Sequence, residues 1–393
     1  MSHSEVFIVS AARTPVGAFM GSLAELSATQ LGAVAIRAAI ERAAITPALV
    51  EQTYMGNVLS AGVGQAPARQ AAIGAGVPVH APAVTIGKVC GSGLEAVIAA
   101  TRAIRLGDAE LCIAGGMESM SQAPYLLPKA RAGYRLGHGE LVDSMILDGL
   151  WDPYGHFHMA EAAERCASEL GIDRAAQDAL ATESYRRARG AHAAGLFREE
   201  IAAVTVTTRK GELRIDSDEE PQRGDPNKLA QLQPAFRADG TITAGNASKI
   251  NDGAAALVLA SAAAVQRHGL RPLARIVSYA HHAQEPESFP TAPGHAIDKA
   301  LLRAGRSRDD VALYEINEAF AIVAIACMRL AQLDPARVNV RGGAVALGHP
   351  IGASGARILT TLLYALPKTS GSLGLATLCI GGGEANALLI ERV

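Results

Sequence analysis

The sequence predicts an α/β fold assembled from two similar units, on three observations. First, apolar strand-like runs alternate with small-residue helical patterns: Leu94, Val97, Ile98 and Ile104 recur at helical spacing before the buried run Ala109-Glu-Leu-Cys-Ile-Ala-Gly-Gly116. Such alternation implies βαβ units and a largely parallel, covered sheet. Second, the two ends of the chain echo each other. Leu111-Cys-Ile-Ala-Gly-Gly116 is matched by Leu378-Cys-Ile-Gly-Gly-Gly383, and Tyr54-Met-Gly-Asn57 by Tyr314-Glu-Ile-Asn317. Two copies of one unit, related by a pseudo-twofold, would bring their equivalent loops together. Chance likeness among glycine-rich strand ends is the competing reading. Third, from Ser121 to Ala244 the texture turns to prolines, charges and isolated glycines. That stretch reads as an insertion over the core, covering a binding site or serving assembly.

Taken in order, residues 5–10 read as a strand and Leu26 to Ala44 as a helix with Leu31, Val34, Ala35 and Ala38 on one face. Thr53–Leu59 reads as a short strand and Ala66–Ile73 as a small-residue helix. Within the insertion, helices are expected over about 160–169 and 174–193. Alternation resumes at Ala254–Ala264, with a helix over 293–304. Val311–Phe320 is a strand entering a helix that runs to Leu330; another helix ends at Leu366, and Gly374–Gly383 is the last strand.

The central stretch is Val84-Thr-Ile-Gly-Lys-Val-Cys90-Gly-Ser-Gly93, a strand entering a glycine turn before a helix. Free N–H groups and the positive end of a helix dipole favour a thiolate there. Read alone, Cys90 is either a nucleophile or a small buried hydrophobe. Cys379 reads equally as a core residue, Asn317 as an N-cap, and Gly348-His349-Pro350 as a turn.

Composition removes several classes. The chain has 393 residues, enough for more than one unit with ample core. A net charge of −2 and no basic excess argue against nucleic acid and membrane surfaces, and 4% aromatics against a base-stacking platform. No apolar run is long enough to span a membrane. The N-terminus enters a strand directly, without a signal-peptide layout. Five scattered cysteines with no Cys-x-x-Cys pair speak against disulfides or a zinc cage and for a reducing cytoplasm. No metal and no resident cofactor is expected. Cys112, Cys166 and Cys327 read as core, and His281-His282, Glu199-Glu200 and Glu219-Glu220 as solvated surface.

Cys90-Gly-Ser-Gly93, Asn317-Glu-Ala-Phe320, Gly348-His-Pro-Ile-Gly-Ala-Ser-Gly355 and Cys379-Ile-Gly-Gly-Gly383 resemble the four motifs of the thiolase family, in order and spacing, across the whole chain. Leu141–Asp152, Thr243–Ser248 and Asn251-Asp-Gly253 are similar to its short-chain acetyl-CoA acetyltransferase branch. The resemblance implies α/β/α/β/α layering of two pseudo-twofold-related core domains, with mixed, mostly parallel sheets. Residues 1–120 with 245–270 would form the N-terminal core, 121–244 a loop domain for CoA binding and tetramer contacts, and 271–393 the C-terminal core. It implies reversible Claisen condensation of two acetyl-CoA into acetoacetyl-CoA and CoA, through an acyl-cysteine. Cys90 would be the nucleophile, His349 its base and Cys379 the proton acceptor and donor at C2. One oxyanion hole would be His349 with a water held by Asn317, the other the N–H groups of Cys90 and Gly381. His158, Met159, Arg223, Phe236, Ala247, Ser248 and Phe320 would meet CoA, Arg223 being alternatively a plain exposed charge. A homotetramer is implied. The alternatives are a broader 3-ketoacyl-CoA thiolase of β-oxidation and a non-catalytic acyl-CoA-binding relative.

The chain departs from the family pattern at Gly87, usually a polar residue, and at Ala160-Glu161-Ala162, usually glycine, a variable residue and threonine. Phe289-Pro-Thr-Ala-Pro293 replaces a commoner methionine–glycine segment, and Glu384-Ala385 stand where methionine or glutamine, then glycine, is usual. None removes a catalytic group.

Overall fold

The computed structural model describes residues 5–209 and 211–393. Met1–Ser4 of the N-terminal stretch, and Lys210, lie outside the described residues. The first half contains β1 (Val6–Arg13), α1 (Ala28–Arg42), β2 (Gln52–Gly56), α2 (Pro67–Gly74), β3 (Ala83–Ile86), α3 (Ser92–Leu106) and β4 (Leu111–Ser119). Then come α4 (Met159–Glu169), α5 (Arg174–Ala193), the hairpin β5 (Val204–Thr208) and β6 (Gly211–Ile215), and β7 (Asn251–Ser261). The second half has β8 (Ala274–Ala283), α6 (Ala292–Ala304), β9 (Val311–Ile316), α7 (Ala321–Leu330), α8 (Ser354–Ala365), β10 (Leu373–Ile380) and β11 (Glu384–Arg392). Local chemistry sets the helix starts. Ser27 Oγ accepts from Gln30 N while Gln30 Oε1 accepts from Ser27 N, a capping box that opens α1. Asp173 accepts from Ala176 N at 2.8 Å and opens α5.

One ten-stranded mixed sheet runs through the molecule in the order β9-β10-β11-β8-β1-β7-β4-β2-β3, with Gly17–Ala18 added beside β7. The expectation of a mostly parallel sheet is not met. Only β2–β3, β2–β4 and β9–β10 are parallel, whereas β1–β7, β1–β8, β4–β7, β8–β11 and β10–β11 are antiparallel. The reason lies in the connections: β10 reaches β11 through a glycine hairpin, and β4 reaches β7 through the insertion, so neither uses a crossover helix. Outward from the β1–β8 pair, both sides read antiparallel, antiparallel, parallel. The register slips at Ile8/Ser10 in β1 and at Ile276/Ser278 in β8. At those bulges Ser10 Oγ donates to Ala39 O at 2.6 Å and Ser278 Oγ to Ala300 O at 2.7 Å, tying each strand to its covering helix.

The central apolar cluster joins α3 and α8 to the sheet through Leu94, Val97, Ile98, Ile358, Leu359 and Leu362, all buried. These two helices cross at their first turns. A Cβ at Gly93 would sit 2.9 Å from Ala356 N, and one at Gly355 2.5 Å from Leu94 N. Both glycines therefore let the loops that precede α3 and α8 meet.

The insertion is fixed to the core by a buried ionic cluster. Arg13 Nε donates to Glu200 Oε1 at 2.6 Å, and its Nη1 and Nη2 donate to Asp218 at 2.7 and 3.0 Å. Thr361 and Arg341 complete Glu200. The reading of Glu199-Glu200 and Glu219-Glu220 as solvated is corrected for Glu200 and Glu220, which are buried; Glu220 accepts from Asn251 Nδ2 at 3.3 Å. Burial alone would raise the Asp218 pKa, but Arg13 outweighs it and holds the carboxyl well below its usual range. That contribution is present above the ordinary aspartate value of about 4 and is lost as pH falls through the depressed one. Arg13→Leu strips the buried Glu200 and Asp218 of the guanidinium they share. It is expected to lower unfolding stability by about 3–5 kcal/mol at neutral pH, read as a lower urea midpoint. An unchanged midpoint would show that the cluster does not hold the insertion.

Candidate active site

Cys90 lies between β3 and α3, as its sequence context predicts. The turn is built around Val89, whose φ of +42° is a left-handed conformation costly for a β-branched residue. Ser92 holds it there: its Oγ accepts from Lys88 N at 2.8 Å and donates to Val89 O at 2.7 Å. Cys90 is half-buried against Leu59, Met120, Met145 and Ile351.

The hairpin between β10 and β11 brings Cys379 and Gly381 to the same place. Cys379 is buried at the end of β10 and close enough to Cys90 for the charge of Cys90 to raise its pKa. The backbone N–H groups of Gly381 and of Cys90 itself face the Cys90 sulfur and act to lower its pKa. Two donors thus converge on the atom where an acyl group would form, with Met159 Sδ and Val89 Cγ1 packed about Gly381.

His349 and Asn317 form the second cluster. Asn317 follows β9 and is buried, and Phe320, not Asn317, caps α7. Its Nδ2 lies 3.4 Å from both ring nitrogens of His349, and its Oδ1 has no protein partner. An orphaned buried amide oxygen beside an imidazole has the chemistry to hold a water. His349 Nδ1 meets Ser354 Oγ at 2.6 Å, and His349 N donates to Asn251 Oδ1 at 2.8 Å, which fixes ring and backbone together.

Burial acts on each of these groups. Burial pushes the Cys90 thiol up to about 12, against the lowering effect of the two N–H groups. Burial, then Arg357, pushes His349 down to about 3, and burial raises Cys379 well above the ordinary thiol value. Desolvation thus opposes the thiolate that the two N–H groups favour.

A cavity of about 490 Å³ opens from His349 to the surface. His158, Arg223, Phe236, Ala247, Ser248 and Phe320 all line it. Phe236 stacks on His158 with centroids 4.8 Å apart, while His158 Nδ1 accepts from Ala160 N. Arg223 is exposed at the cavity wall. Met159 is the exception: it is buried in the cluster that holds Phe289, Phe320 and Cys379, at the reacting end rather than along the wall.

Sequence reasoning missed Glu118. This buried carboxylate at the end of β4 accepts from Asn57 Nδ2, Val58 N, Leu59 N and Gly352 N at 2.7–3.2 Å, so it ties the loop after β2 to the loop of His349. Burial raises its pKa to about 7 despite these bonds. The available signal was a lone acid ending a wholly apolar strand. Ser354 and Asn251 were quoted within motifs but given no task.

Residues 6–263 match the thiolase N-terminal domain model and residues 270–392 the thiolase C-terminal domain model. The chain is 50% identical over 395 residues to acetyl-CoA acetyltransferase of Schizosaccharomyces pombe, covering 100% of both chains. It is 52% identical to acetyl-CoA acetyltransferase of Pseudomonas aeruginosa, covering 99% of each. With mitochondrial acetyl-CoA acetyltransferase of Bos taurus it shares 47%, over 99% of this chain and 92% of that one.

Proposed function

The chain belongs to the thiolase family, and from that premise we propose how its residues work as an acetyl-CoA acetyltransferase. The observation that carries the reading is the convergence of Cys90, Cys379 and the Gly381 N–H. Cys90 sulfur attacks the thioester carbonyl of a first acetyl-CoA as His349 takes its proton. The oxyanion rests on the N–H groups of Cys90 and Gly381. Collapse breaks the C–S bond to CoA; the departing sulfur takes the Cys379 proton and leaves as CoA. The site now holds acetyl-Cys90, a His349 imidazolium and a Cys379 thiolate. A thiolate whose pKa burial has raised is a strong base, suited to the weak C2 carbon acid of a second acetyl-CoA. Its enolate oxygen is met by His349 and a water on Asn317. The carbanion attacks acetyl-Cys90, acetoacetyl-CoA forms, and Cys90 regains its proton from His349. The proton count closes over the cycle.

CoA lies along the cavity from Arg223 past Phe236 and His158 to Ser248 and Ala247. Phe320 and Met159 sit nearer the acyl end. The two halves are read as pseudo-twofold-related, layered core domains, 1–120 with 245–270 and 271–393, around the 121–244 loop domain. The matching bulges of β1 and β8 support this. Free thiols at all five cysteines support a reducing, cytoplasmic setting, which cell fractionation checks.

Phe289 and Phe320 pack in the same cluster as Cys379 and narrow the acyl end. Thiolysis should therefore favour acetoacetyl-CoA over long-chain 3-ketoacyl-CoA in kcat/KM. One extra methylene costs only about 1–3 kcal/mol, so slightly longer chains should be partly tolerated. Equal kcat/KM for short and long chains would instead point to a broad 3-ketoacyl-CoA thiolase. Tyr125, Leu127, Leu136 and Leu141 are exposed on the insertion and support a homotetramer assembled through it. A tetramer mass by light scattering at micromolar concentration is expected; a monomer mass would reject the assembly.

A further inference from the structure

We propose that the ion pair between Lys88 and Glu384 is a strap across the two halves of the site that sets how closely the Gly381 N–H approaches Cys90. This makes both positioning residues. The inference rests on the reading that Cys90 carries the acyl group and Gly381 helps hold its oxyanion.

The loop that carries Gly381 has little stiffness of its own. Gly382 and Gly383, between Gly381 and the start of β11, have φ of +90° and +83°. Glycines in that region move at little backbone cost. On the other side, Val89 is held in an unfavourable conformation next to the nucleophile. Lys88 stands two residues before Cys90, and Glu384 three residues after Gly381 and first in β11. Joining their side chains closes a small ring through both loops and fixes the one distance that the oxyanion hole depends on. A further side-chain link between these loops, Asn386 Nδ2 to Gly91 O, is long at 3.4 Å.

Glu384 supplies the carboxylate that answers the charge of Lys88. The side chains are 23% and 37% exposed, so the pair adds little to global stability. Its effect is confined to the loops.

The test is Lys88→Met, Glu384→Gln and the double exchange Lys88→Glu/Glu384→Lys. Acetoacetyl-CoA thiolysis is measured together with acetylation by intact mass and peptide mapping. Each single variant should lose about three- to tenfold in kcat, with KM within about twofold and the melting temperature nearly unchanged. The double exchange should recover most of the loss, because it restores the strap with its charges reversed. Single variants with wild-type kcat would overturn the proposal. So would a double exchange no better than the singles, which would assign the effect to the lysine's charge acting on the thiolate. So would losses that follow melting temperature rather than the restored pair. Failure of the catalytic reading is separate: peptide mapping would then find wild-type protein unacetylated at Cys90.

Discussion

Cys379→Ala is expected to split the reaction in two. The variant should still take an acetyl group from acetyl-CoA onto Cys90 and release CoA, because the attack needs only Cys90, His349 and the N–H pair. The departing sulfur can draw its proton from His349 or from water. The variant should then stall. Cys379 shares its apolar cluster with Phe157, Met159, Phe289, Ala319 and Phe320, none of which can act as a base. Condensation and acetoacetyl-CoA cleavage should fall by more than the factor of about 10²–10⁴ typical of a lost general base. Without the thiolate the enolate has no route to form. Folding should be little affected, since one buried sulfur is removed. Intact mass before and after acetyl-CoA, beside turnover of both directions, reads the split. A variant that cannot be acetylated would mean that Cys379, not Cys90, carries the acyl group.

Cys90→Ala should abolish both halves together. The other thiol at this place, Cys379, is buried in an apolar cluster. Turnover in either direction should drop by about 10⁵–10⁶, the loss expected for a catalytic nucleophile, with no acetyl adduct by mass. A Cys90→Ser variant should also be poor, since a serine ester exchanges unfavourably with a thioester. Residual acetylation of Cys90→Ala at the wild-type rate would place the nucleophile elsewhere.

The site was more legible in the sequence than the sheet. Cys90, Asn317, His349 and Cys379 lie at the ends of strands or in glycine turns, where a few adjacent residues specify the backbone. Their motifs are local and readable. β8 and β11 were overlooked. β8 alternates buried and half-buried residues from Ala274 to Ala280, which is a strand period, but its histidines read as surface. β11 follows a glycine hairpin rather than a helix, so it broke the βαβ rule on which the parallel expectation stood. The ionisation states were also out of reach. The turn at Cys90 announces hydrogen-bond donors, whereas the desolvation that outweighs them comes from Met120, Met145 and Ile351, residues far away in sequence. The same holds for Glu118 and Glu200: an acid reads as surface until its donors, from two separate segments for Glu118 and three for Glu200, are seen around it.

The most direct test of the account is where the acetyl group sits. Wild-type protein mixed with acetyl-CoA, quenched in acid, digested and mapped by mass spectrometry should carry one acetyl group, on the peptide containing Cys90. A chase with CoA should remove it as acetyl-CoA. An acetyl group mapped to Cys379, or no stable adduct at Cys90 in protein that is turning over, would contradict the assignment of the two cysteines.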